Sequence, residues 1–157
     1  MKNFERIMRI LAVCWMAAIF MFSAQPADES QKLSDGVSYR LVSVIDSVAH
    51  KNWNDEKKEE LAQIIDYPVR KAAHMSEYAL LTLLTFGAVC TKKGKRRYII
   101  PISITFLYAC TDEFHQLFVN GRAGRFTDVL IDTSGGVIML LIVFIISLAV
   151  LRRKKYN

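Results

Sequence analysis

Residues 133–151 contain no charged side chain, and a helix built from them is about as long as the hydrocarbon core of a bilayer is thick. Three further apolar stretches accompany it, at 10–22, 79–90 and 98–110. With 52% hydrophobic residues in a chain of 157, this composition is too apolar for an ordinary soluble domain, and the apolar residues arrive in blocks. The pattern predicts an all-α polytopic membrane protein. Its four transmembrane helices fall at about 7–24, 68–90, 98–118 and 127–151.

Charge placement gives the expected orientation. The net charge is +6, but the basic residues lie beside apolar runs, which argues against nucleic acid and for a membrane. Lys2, Arg6 and Arg9 precede the first run, Lys92 to Arg97 separates the second from the third, and Arg152 to Lys155 follows the last. Four crossings put all three clusters on one side, and the positive-inside rule makes that side, with both termini, cytoplasmic. Residues 23–66 hold nine acids against five bases, which suits the outside. The start of the chain also resembles a secretory signal, but cleavage after Ala24 would need a small residue where Phe22 stands, so a retained helix is expected. The three cysteines, Cys14, Cys90 and Cys110, lie in or at the end of apolar runs. They have no metal-knuckle spacing and are too few and odd for a disulfide framework.

The outer segment, 25–67, is expected to form short amphipathic helices. Leu33, Val37, Leu41, Val44, Ile45 and Val48 recur at helical spacing. Asn54 or Asp55 is placed to cap a second, charged helix, and Pro68 fits the first turn of the next. These helices would lie on the membrane surface or cover the bundle.

The chemistry is concentrated at 108–132, which packs Asp, Glu, His, Gln and Arg between apolar runs. Ionisable groups at such depths are costly, so they mark function. At 100° per residue Arg70, His74, Glu77 and Tyr78 share one helical face; Tyr108, Asp112, His115 and Gln116 share another, with Glu113 at its edge. Asp128, Asp132 and Gly135 form a third stripe, and Gly135 with Gly136 permits close helix approach. The connecting loop adds Arg122 and Arg125, and Gln25 ends the first run at the same level. The expectation is one outward-facing polar pocket.

These residues carry a resemblance. FSAQ at 22–25, KAAHMSEY at 71–78 and TDEFHQLFVNGRAGRFTDVLIDTSGG at 111–136 make the chain similar to the VanZ-like membrane proteins, a family named after a glycopeptide-resistance accessory protein. Asn120 departs from an expected VPGR turn, and Ala24 stands where a second Ser is frequent. The resemblance implies a single domain over residues 1–157 in a bacterial cytoplasmic membrane, in some members tied to teicoplanin resistance. It supplies no reaction.

Three functional readings follow from the residues. In the first, Arg70, Lys71, Arg122 and Arg125, with Gln25, Tyr78, Tyr108, Glu113, His115 and Gln116, bind an anionic envelope lipid or lipid-linked cell-wall precursor. His74, Glu77 and Asp112 would then act on it if there is catalysis, and Asp112, Asp128 and Asp132 could hold a divalent cation such as Mg²⁺. In the second, the same charges form a structural ion-pair network. The third is ion or proton transport, for which the cytoplasmic halves of the helices offer few polar groups.

Overall fold

α3, Asp55–Ala88, is the axis of the molecule: it packs against each of the other four helices. In the computed structural model these are α1 (Lys2–Ser23), α2 (Ala27–Ala49), α4 (Arg96–Gln116) and α5 (Phe126–Tyr156). The structure describes residues 1–156, with side chains through Arg153. The expected contribution of Lys154 and Lys155 to the C-terminal basic cluster lies outside the described side chains. The fold is all-helical, with no strand among the described residues.

Two helices are long and apolar enough to cross a membrane. They are α1, with mean hydropathy 1.7, and α5 over Phe126–Arg153, at 2.8. α3 and α4 fall short of the same measure because charged side chains fill the first part of α3 and both ends of α4.

The outer segment differs from expectation. α2 is one helix of 23 residues, and the charged helix capped by Asn54 does not stop before Pro68. The Lys57 amide donates to the Asn54 side chain at 3.0 Å, as a cap should. The helix then runs 34 residues, with Pro68 inside it. An internal proline forfeits a backbone hydrogen bond, at a cost of about 3 kcal/mol. α2 bridges the two halves: it packs antiparallel along α3, with Ser34 bonded to Asp66 before the proline and Gln31 to Arg70 after it.

α2 also turns the opposite face inward from the one its apolar pattern suggests. Ser34, Ser38 and Val42 are buried against α3, while Leu33, Val37, Leu41, Val44, Ile45 and Val48 are all exposed. Small serines allow close approach and let the buried Asp66 be satisfied, a contact that the aliphatic side chains could not make.

Close packing fixes α3 against α5. A Cβ on Gly135 would overlap the Met75 carbonyl, and one on Gly136 would meet Thr82 Oγ1. Thr82 and Thr105 share a hydrogen bond of 2.7 Å between α3 and α4. Tyr78, Leu81, Ala109, Ile19, Ala12 and Val129 complete the core. At the end remote from α2, the Thr91 amide and hydroxyl donate to Glu5, at 2.8 and 2.5 Å, tying the basic N-terminus to the basic Lys92–Arg97 turn. Tyr98 packs edge-on to Phe144, so the latter part of α5 belongs to that same end.

Candidate functional site

At the opposite end, the loop between α4 and α5 folds back over α2. The Ala27 amide donates to the Asn120 carbonyl at 3.2 Å, and Gly121 takes φ 74°, a conformation that a glycine adopts without steric cost. The turn aims Arg122 inward, where its Nε donates to the Gln25 carbonyl at 3.1 Å. Gly124 seats the loop on α4: a Cβ there would overlap the Glu113 carbonyl.

Beneath this loop lie two adjoining cavities. The first, about 210 Å³, is polar. Arg70, Lys71 and His74 line it from α3, Glu113 and Gln116 from α4, Arg122 and Arg125 from the loop, and Asp128 and Asp132 from α5. Ser30 and Tyr67, which sequence reasoning did not single out, join them. The second cavity, about 230 Å³, is mainly apolar: Phe22, Leu33, Val37, Val69 and Ala73 line it, with Gln25 and Glu77 at its polar edge. Ser30, Arg70, His74 and Arg122 form the wall common to both.

Most of the cavity charges already have partners. Lys71 Nζ lies 2.7 Å from Asp128 Oδ1, and Arg70 Nη2 lies 2.8 Å from Asp66 Oδ2. Glu113 accepts from the Arg125 amide at 2.8 Å and from Gln116 at 3.4 Å. His74 Nδ1 faces Glu77 Oε2 at 3.5 Å. Arg122 forms no ion pair among the described residues. Burial, with Arg70 nearby, pulls its pKa below the ordinary arginine value, as expected for a cation short of an anion. Asp132, only 3% exposed, accepts no hydrogen bond and joins no ion pair among the described side chains.

Other expected members are not at the cavities. Asp112 is buried behind the polar one, accepting from Gln116 at 3.3 Å through one oxygen while the other has no partner. Tyr78 is fully buried, its hydroxyl also without a partner. The Tyr108 hydroxyl donates to the Met16 carbonyl at 2.5 Å, a bond between α4 and α1. His115 stacks on Phe20, with ring centroids 4.4 Å apart. Tyr108 and His115 stand on the side of the α4 stripe that meets α1 instead of the cavity. The expected cation set of Asp112, Asp128 and Asp132 is not assembled: no group of three or more His, Cys, Asp or Glu among the described residues is placed to hold a metal ion.

Asp66 is the main residue that sequence reasoning missed. Burial raises its pKa, but hydrogen bonds from Ser34, Arg70 and Gln31 outweigh that and hold it below the usual carboxylate value. The Asp66–Arg70 spacing and the Gln31, Ser34, Ser38 stripe were the available signals.

A family model described as VanZ/LLP1 matches residues 8–147. The chain belongs to the VanZ/LLP1 family. The matched region takes in both cavities, the Arg122 loop and the α3–α5 glycine contact, so the geometry above belongs to the VanZ/LLP1 domain itself. No curated protein and no solved structure matches the chain.

Proposed function

We propose that this VanZ/LLP1 protein crosses the bacterial cytoplasmic membrane four times, with both termini cytoplasmic, and binds the anionic headgroup of an envelope lipid or lipid-linked cell-wall precursor at the outer interface. α3 and α4 are read as spans because their charges turn inward to the cavities. Their outward faces are apolar, as with Leu107 and Phe114 on α4 and Leu117 just past its end. Such exposed apolar residues surround the bundle, including Phe4, Ile7, Val13 and Met21 on α1, and would be a liability in water. α3 is about 51 Å long at 1.5 Å per residue and exceeds a hydrocarbon core of about 30 Å, so its first turns stand outside with α2. The exposed aliphatic face of α2, which is separated from α1 by only three residues, is read as resting on the lipid surface.

The observation that carries the ligand reading is the wall shared by the two cavities. Arg70 and Arg122 stand between a polar chamber and an apolar one, an arrangement that suits a charged headgroup joined to a hydrocarbon chain. The ion-pair reading accounts for Lys71 with Asp128 and Arg70 with Asp66 but leaves Arg122 unexplained. Transport is disfavoured because Leu81, Thr82 and Thr105 pack the span beyond the cavities.

Native mass spectrometry of the detergent-purified chain, loaded with phosphatidylglycerol, tests the reading. Retained lipid is expected, and Arg122→Ala should lose it while membrane abundance stays normal. Teicoplanin susceptibility measured on the same strains then tests the resistance link. Retention unaffected by Arg122→Ala, or no retention in the unaltered protein, would refute the site.

A further inference from the structure

The polar cavity has two ionisable groups of opposite sign, Arg122 and Asp132, that join no ion pair among the described residues. Arg122 uses only its Nε, on the Gln25 carbonyl, which leaves the outer fork of the guanidinium free. Asp132 lines the same cavity from α5 with no donor on either oxygen among the described residues. A carboxylate is costly to hold there without a donor, and His74 on the same cavity wall turns its Nδ1 to Glu77, so a cation reaching Asp132 together with an anion reaching Arg122 would satisfy both groups.

The character of that cation can be narrowed. A divalent metal wants six or more oxygen ligands, or several with water, and no suitable cluster is present among the described residues. A quaternary ammonium is usually held by an aromatic cage, and Tyr67 is the one aromatic residue lining the cavity. A primary ammonium needs just a carboxylate, here Asp132, with one or two further acceptors that other cavity groups or water can supply. Size gives a further limit. At about 30 Å³ per water, 210 Å³ holds on the order of seven water-sized groups, enough for a phosphate ester with a short amine arm.

We propose that the headgroup taken here is zwitterionic: a phosphodiester bearing a primary ammonium, with the phosphate on Arg122, the ammonium on Asp132 and the hydrocarbon chain in the apolar cavity. This rests on the lipid-headgroup reading above and narrows it to the ethanolamine-phosphate class.

The test uses the full chain in detergent and three lipids of identical acyl chains: phosphatidylethanolamine, phosphatidylglycerol and phosphatidylcholine. Phosphatidylethanolamine should be retained about tenfold more tightly than the other two. Asp132→Asn should erase that preference without abolishing binding, and Arg122→Gln should weaken all three lipids. Equal retention of the three by the unaltered protein overturns the ammonium assignment and leaves the lipid reading standing; retention of none overturns both. Free O-phosphoethanolamine distinguishes the source of the headgroup. Weak competition supports a lipid, and competition as strong as that of the lipid itself overturns the role given to the apolar cavity.

Discussion

Lys71 Nζ sits 2.7 Å from Asp128 Oδ1, joining α3 to the first turns of α5 across the mouth of the polar cavity. Both side chains are 19% exposed, so the pair is shielded enough to matter and wet enough to form without a large desolvation cost. It accounts for a lysine and an aspartate that would otherwise be counted as ligand groups. Replacing either by Ala should lower the thermal midpoint of the detergent-solubilised protein. The double replacement should cost no more than the worse single one, with a coupling of about 1–2 kcal/mol in a double-mutant cycle. Additive losses would show that the two side chains act separately.

The α3–α5 contact depends on Gly135. Gly135→Ala drives a methyl group into the Met75 backbone and should sharply reduce folded protein in the membrane. Gly36→Ala on α2 is the matched control: nothing lies within 4 Å of that position, and removing a helical glycine should stabilise by about 0.5–1 kcal/mol. Comparing the detergent-extractable, monodisperse fraction of the two variants checks both expectations.

Gly124 offers a way to disturb the site without the core. Gly124→Ala would push the loop off the Glu113 carbonyl and displace Arg122 with it. Lipid retention should fall at least as far as in Arg122→Ala, while the loss of folded protein stays smaller than in Gly135→Ala, because a loop can shift away from the overlap more easily than two packed helices. A large drop in stability with retention intact would count against this division.

The α2–α3 hairpin should loosen in acid. Asp46 accepts from the Trp53 amide at 3.0 Å and pairs with Lys58 at 3.1 Å. The Trp53 bond first, then Lys58, holds its carboxyl below the usual value despite some burial. Because the folded-state pKa is depressed, the stabilisation is fully present above the ordinary carboxylate pKa and disappears as pH falls through the lower, folded one. Protection factors at residues 46–58, which remove the intrinsic pH dependence of amide exchange, should therefore fall as pH drops below about 4. Asp46→Asn should show low protection above and below that pH.

Topology is checked by single cysteines in a background with Cys14, Cys90 and Cys110 replaced. A membrane-impermeant thiol reagent added outside intact cells should label Ser47→Cys on α2 and leave Gly94→Cys, in the basic turn, unlabelled until the cells are opened. The reverse pattern would invert the orientation, and labelling of both from outside would remove the four-crossing arrangement.

Helicity, the glycine contact, a helix cap at Asn54 or Asp55 and the gathering of Arg70, Lys71, His74, Glu113, Arg122, Asp128 and Asp132 at one end were legible in the sequence. They depend on local spacing and on the cost of charge in apolar surroundings, which the order of residues states directly. Which side of each stripe meets which neighbour could not be read. Tyr108 and His115 share a helical face with Asp112, yet they meet α1, because a stripe on a packed helix borders more than one partner. α2 buries its serines and shows its leucines because Asp66 on α3 needed donors more than the bundle needed another apolar face. Only the tertiary structure could decide that, since pairing a buried charge depends on atoms brought together from distant positions in the chain, whereas the length and apolar run of a helix are properties of one segment alone.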